Sequence, residues 1–154
     1  MKYPSFFRLS SGSGSSRYRL VAFDNALIDA GISNYNLVRV SSILPQNSEE
    51  EKTIDLREGS LLSTAYATIS SNTPGTMLAT AVAVGIPKDP NKIGIIMEYE
   101  AEGIGSKTAA EIAGKMVEES MRNHCIPLKC IHYSSAEGIV QEDYLCLISA
   151  IAMW

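Results

Sequence analysis

An α+β fold with mainly antiparallel or mixed sheets is what this 154-residue sequence predicts, and three observations predict it. Only one stretch, Thr108 to Asn123, keeps a helical apolar stripe over several turns. Most of the remaining apolar residues fall in short runs rich in β-branched and alternating positions, which read as strands. Strands and helices follow no regular βαβ alternation, so a doubly wound parallel sheet is not expected. The length suits a single domain, residues 1–154, with a core that needs no staples.

In chain order, Leu9 to Ser16 is a Gly/Ser run and reads as a flexible loop. Phe23 to Ala30 reads as a short helix, with Asp24 placed to cap its start and Gly31 to end it. Asn36 to Ile43 is a strand, and the polar stretch from Pro45 to Gly59 is a surface excursion. Leu61 to Ser71 alternates as a strand, and Thr73-Pro74-Gly75-Thr76 makes a turn. Met77 to Ile86 is a nearly continuous run of small apolar residues, as in a buried central strand. Ile93 to Ala101 is a further strand. Thr108 and Glu111 have capping-box spacing at the head of the long helix. Leu128 to Ser135 and Asp143 to Trp154 complete the strands, joined through the polar Ala136-Glu137-Gly138.

Composition excludes several classes of function. Lys plus Arg is 13 against 17 for Asp plus Glu, a formal net charge of −4, so nothing draws the chain to the phosphates of nucleic acid. No apolar run is long enough to span a bilayer, and the amino terminus lacks the apolar stretch of a signal peptide. Cys125, Cys130 and Cys146 form an odd set without a CxxC pair, which suits reduced thiols in a cytoplasm. The spacing of His124, Cys125, Cys130 and His132 matches no zinc pattern, so no metal is expected. Gly103 to Thr108 lies between a strand and a helix but has Ser106 and Ala101 where a P-loop has glycine.

The chemistry-bearing candidates lie elsewhere. The strand Asn36-Leu37-Val38-Arg39-Val40 ends on Ser41-Ser42, with Pro45 closing the segment. The hydroxyl of the second serine can attack the carbonyl of the first. The resulting ester can then eliminate, cutting the chain and leaving a pyruvoyl group where the second serine was. Such a ketone serves as an electron sink in place of pyridoxal phosphate. Glu98 stands among bulky apolar residues in Ile95-Ile96-Met97-Glu98-Tyr99, where burial would let it hold a proton as a general acid requires. The alternative is a solvent-facing strand residue. Asp24 offers a carboxylate for a cation if it is not simply a helix cap. Even spacing places Asn36, Val38, Val40 and Ser42 on one face of a regular strand, where the Asn36 amide could polarise a backbone carbonyl near the cut.

Taken together, Ala22-Phe23-Asp24-Asn25-Ala26-Leu27, Asn36-Leu37-Val38-Arg39-Val40-Ser41-Ser42-Ile43-Leu44-Pro45, Thr64-Ala65-Tyr66 and Met97-Glu98-Tyr99-Glu100 resemble the pyruvoyl-dependent arginine decarboxylases. The resemblance runs from about Phe23 to the C-terminal apolar strand. It implies an αββα sandwich, two sheets covered by helices. It also implies a proenzyme that cuts itself into a 1–41 β chain and a 42–154 α chain, with the pyruvoyl group derived from Ser42 and neither pyridoxal phosphate nor metal. Trimers of such pairs, or dimers of trimers, with sites between subunits are implied as well. By position, Asp24 matches the residue that contacts the guanidinium, Asn36 the one that assists processing, and Glu98 the proton donor. Ser41 carries the new carboxylate against the substrate. Ser33 stands where some relatives have glycine in the loop lining the substrate site, and Ser63 where proline is common. The implied reaction converts arginine to agmatine and carbon dioxide, toward polyamines or in acid resistance. The same chemistry on histidine, lysine or ornithine is the nearest alternative, and a non-catalytic trimeric binding module of the same fold is the other.

Overall fold

The computed structural model describes residues 3–154. The elements run β1 (Phe6–Ser16), α1 (Arg19–Ala30), β2 (Asn36–Arg39), β3 (Ile43–Leu44), β4 (Glu49–Glu50), β5 (Leu61–Ser71), β6 (Met77–Pro87), β7 (Gly94–Glu102), α2 (Ser106–Asn123), β8 (Leu128–Ile139) and β9 (Tyr144–Met153). They form a five-stranded sheet in the order β2-β5-β9-β1-β4 and a four-stranded sheet in the order β3-β7-β6-β8. Only the β1–β4 and β2–β5 pairs are parallel. The five-stranded sheet is therefore mixed and the four-stranded one antiparallel, as the sequence predicts.

Side-chain alternation on the strands builds three apolar layers and so four structural ones. Alternate residues of β9, Cys146, Ile148, Ala150 and Ala152, face outward and bury Ala22, Ala26 and Ala30 of α1. The opposite face of β9 supplies Ile151 and Met153, which meet Val82 and Val84 of β6 and Ile96 of β7 between the sheets. On the far side Ala79, Ala81 and Ala83 of β6 receive Ala109, Ala113, Val117 and Met121 of α2. The result is the α/β/β/α sandwich. Among the apolar residues between the sheets runs a chain of hydroxyls. Thr80 Oγ1 lies 2.8 Å from Ser149 Oγ, Ser149 is 2.8 Å from Ser11, and Ser11 is 2.7 Å from Ser134. Each of these hydroxyls thus has a partner, which removes most of the desolvation penalty.

Four local expectations are corrected. The Gly/Ser run is the second half of β1 rather than a loop, paired in register with β9 from Phe7↔Met153 to Ser16↔Tyr144. Its glycines are needed for contact: a Cβ on Gly12 would meet the backbone of Ala26 and Ala30, and one on Gly14 that of Ala22 and Ala26. Helix α1 begins at Arg19, with Tyr18 as its N-cap and no side-chain cap, so Asp24 lies inside the helix and caps nothing. The long helix begins at Ser106 after Gly105, so Thr108 and Glu111 form no capping box; the Ser106 hydroxyl donates to Glu137 at 2.9 Å instead. The expected polar connection Ala136-Glu137-Gly138 is strand, the continuation of β8 along β6.

Candidate active site

The expected strand from Asn36 to Ile43 is two strands in different sheets, and the break falls at the serine pair. β2 lies in the five-stranded sheet beside β5, and the Val40 N–H continues that pairing by donating to the Thr64 carbonyl at 3.2 Å. β3 lies in the four-stranded sheet beside β7, with Ile43 opposite Ile95, and the Ile96 N–H donates to the Ser42 carbonyl at 2.8 Å. The chain therefore crosses from one sheet to the other through Ser41, each side anchored by a backbone hydrogen bond. Ser41 is exposed and Ser42 half-buried. No backbone hydrogen bond reaches the Ser41 carbonyl among the described residues, so the bond between the serines is outside either ladder and open to attack by its own neighbour.

Glu98 is brought to this crossover by register. With Ile43 opposite Ile95 and Ser42 bonded to Ile96, the antiparallel order carries Glu98 past the end of β3 on the Val40 side. Ile96 and Glu98 share the face of β7 that looks between the sheets. The carboxyl is held at one end only. Arg39 donates to Glu98 Oε1 at 3.1 Å and to the Tyr66 carbonyl at 2.9 Å, while its guanidinium lies 4.6 Å above the Tyr66 ring. Glu98 Oε2 is buried without a hydrogen-bond partner. Burial raises the Glu98 pKa above its ordinary value; Arg39 opposes the shift by its hydrogen bond and charge, and Glu100 adds to it. A carboxyl with a buried, partnerless oxygen and a raised pKa is suited to holding a proton for delivery.

The other expected site residues lie apart from this pair within the one chain. Asp24 is exposed on the outward side of α1, while its neighbour Phe23 packs toward the sheet and meets the Tyr66 ring, 6.4 Å between centroids. Asn36 is exposed at the opposite end of β2 from the serine pair, its amide donating to the Gly59 carbonyl at 2.8 Å. Because β2 ends at Arg39, Asn36 and Ser42 do not share one regular strand face. Ser33 lies in the turn between α1 and β2, its hydroxyl 3.4 Å from Asn34 Oδ1. One chain thus presents two clusters: Ser41, Ser42 and Glu98 at the crossover, and Ser33 and Asn36 at the far end of β2, with Asp24 on the helix. The sequence reading missed Arg39 and Tyr66 as site residues, although both lie inside the quoted motifs. The available signal was a lone cation in an otherwise apolar strand, three residues before Ser42.

No group of three or more His, Cys, Asp or Glu side chains is arranged to hold a metal ion among the described residues. Position 42 does fit a pyruvoyl group. The Ser42 carbonyl is fixed by Ile96, and the orphaned Glu98 oxygen lies on the neighbouring strand. A serine pair held between two sheets, beside a carboxyl whose pKa burial raises, is the arrangement required of an enzyme that draws its reactive group from its own backbone.

The comparisons give that class its family. The model of the pyruvoyl-dependent arginine decarboxylase family matches residues 6–154. The pyruvoyl-dependent arginine decarboxylase of Methanococcus aeolicus is 37% identical over 153 residues, covering 99% of this chain and 92% of the relative. That of Methanocaldococcus jannaschii has the same identity and coverage. That of Thermococcus kodakarensis is 38% identical over 151 residues, covering 97% and 94%. The chain belongs to the pyruvoyl-dependent arginine decarboxylase family, whose prosthetic group is pyruvoyl rather than pyridoxal phosphate.

Proposed function

We infer that the protein cuts itself between Ser41 and Ser42 and decarboxylates L-arginine to agmatine and carbon dioxide. Family membership at this identity and coverage supports the enzyme class and the arginine substrate. The observation that carries the self-processing is the serine pair suspended between two anchored strands with the orphaned Glu98 carboxyl oxygen beside it. The pyruvoyl group at position 42 supplies the electron sink for loss of carbon dioxide. The remaining steps fall to side chains. Glu98 holds the proton that the substrate carbon takes up, and burial raises its pKa in the direction that role needs. Arg39, stacked on Tyr66, orients the Glu98 carboxyl. Ser41 presents the new carboxylate beside the reacting centre, and Asn36 assists the cutting.

Asp24 is the proposed guanidinium clamp, and its place on α1 supports a site shared between copies. Leu20, Val21 and Ile28, on the outer side of the same helix, are 78%, 44% and 58% exposed, an apolar surface that a second copy would cover. A trimer in which Asp24, Ser33 and Asn36 of one copy face Ser42 and Glu98 of the next unites the two clusters. Among the described residues no helix is long and apolar enough to cross a membrane, and a cytoplasmic location is proposed from the three unpaired cysteines.

Turnover of arginine, lysine, ornithine and histidine by wild type and Asp24→Asn tests the substrate assignment. A carboxylate can bind the planar guanidinium through paired hydrogen bonds, each charged hydrogen bond contributing about 1.5–3 kcal/mol. Asp24→Asn is expected to lose roughly ten- to a hundredfold in kcat/KM for arginine, mainly through KM. Wild-type protein that prefers another of the four amino acids, or unchanged arginine kinetics in the variant, contradicts the assignment.

A further inference from the structure

The edge of the sandwich opposite the serine pair carries a second ordered cluster. β8 ends the four-stranded sheet on that side and β4 ends the five-stranded one. Cys130 and His132, two residues apart on β8, share a face, and Glu50 reaches them from β4. Cys130 Sγ lies 3.5 Å from His132 Nε2, and His132 Nδ1 lies 2.6 Å from Glu50 Oε2. The imidazole offers a different nitrogen to each partner, so the three groups form a relay and do not converge on one point as metal ligands would. Glu50 accepting the Nδ1–H fixes the tautomer and leaves the Nε2 lone pair toward the thiol. The side chains of His132 and Glu50 are 40% and 44% exposed, and Cys130 is half-buried, so a small solute can reach the sulfur.

We propose that Cys130, His132 and Glu50 form a second reactive centre, in which His132 activates the Cys130 thiol toward hydroperoxides. Nucleophile, base and orienting carboxylate stand in the order that base-activated nucleophiles use. As Cys130 Sγ attacks a peroxide oxygen, the S–O bond forms and the O–O bond breaks. The sulfur gives up two electrons and the peroxide is reduced. The thiol proton passes to His132 Nε2 and from there to the departing oxygen, so hydrogen peroxide leaves as water and Cys130 becomes a sulfenic acid. The other cysteines lack this arrangement. Cys125 is exposed and has no histidine relay. Cys146 is buried, and burial pushes its thiol pKa up, opposed by a hydrogen bond with Thr68 and the charge of Arg19.

The test is a short exposure of the full-length protein to hydrogen peroxide, with a dimedone-type trap for sulfenic acid and peptide mass spectrometry. Exposure alone would favour Cys125. The relay instead makes Cys130 the faster thiol by at least about tenfold, a conservative figure beside the roughly hundredfold or more that a positioned base contributes. His132→Ala should bring Cys130 down toward Cys125, with added imidazole restoring the rate, and Glu50→Gln should slow it several-fold. Imidazole rescue separates a chemical role for His132 from a packing role, and Glu50→Gln, which keeps the side chain's shape, carries the test if His132→Ala does not fold. Trapping of Cys125 at least as fast as Cys130 in wild type, or an unchanged Cys130 rate in Glu50→Gln, overturns the proposal.

Discussion

At Glu98 burial and a neighbouring charge act in opposite directions. Burial disfavours the carboxylate, Arg39 favours it, and burial wins, so the pKa is raised. A proton donor is active while protonated, so turnover should fall as pH rises through the Glu98 pKa. Removing Arg39 removes what holds that pKa down. Arg39→Met should therefore move the falling limb of the kcat/KM–pH profile to higher pH, while Glu98→Gln should lower turnover at every pH and abolish the limb. An Arg39→Met profile that coincides with wild type would remove Arg39 from the control of Glu98. The same sign governs stability. The folded state binds the Glu98 proton more tightly than the unfolded chain, so this contribution is fully present below the unfolded pKa. It is lost as pH rises through the folded value.

At the scale of elements, contact between α1 and β1 depends on two positions without side chains. A Cβ at Gly14 would enter the backbone of α1 at Ala22 and Ala26, so Gly14→Ala should destabilise the protein by about 1–3 kcal/mol, read as a lower melting temperature. A variant that melts with wild type would show that the helix can move aside. The same glycines explain why β1 was not legible. Gly and Ser are loop formers by composition, and only the register with β9 and the closeness of α1 reveal a strand. The runs β5, β6, β7 and β9 were legible because alternation or continuous apolarity reports burial on one or both faces. The starts of both helices were misplaced because Asp24 and Thr108 look like caps, whereas backbone geometry at Tyr18 and Gly105 begins the helices without any side-chain cap. Ser42 and Glu98 were legible as candidates, from residue type and neighbours. The sheet crossing at Ser41 was not, because Asn36 to Ile43 keeps the pattern of one strand while its halves pair with partners far along the chain.

For the whole molecule, the proposed cut between Ser41 and Ser42 would leave a small chain woven into the large one. β1 lies between β9 and β4, β2 pairs with β5, and α1 packs over β9, so the two pieces should stay together under native conditions. Sharing of the site between copies is testable by mixing. Ser42→Ala protein, inactive alone, and Asp24→Ala protein, much weakened at arginine concentrations below KM, should reach about a quarter of wild-type activity at such concentrations when co-expressed as randomly mixed trimers; activity no higher than that of Asp24→Ala alone would confine the site to one chain. The central claim, that this chain makes its own electrophile at Ser42, is tested most directly by intact-mass spectrometry under denaturing conditions. The account predicts two pieces, residues 1–41 and 42–154, the larger lighter by one ammonia than simple hydrolysis would leave it, and a Ser42→Ala protein that stays whole and inactive. A wild-type chain that is fully active yet uncut, or a 42–154 piece beginning with an ordinary serine amine, would contradict it.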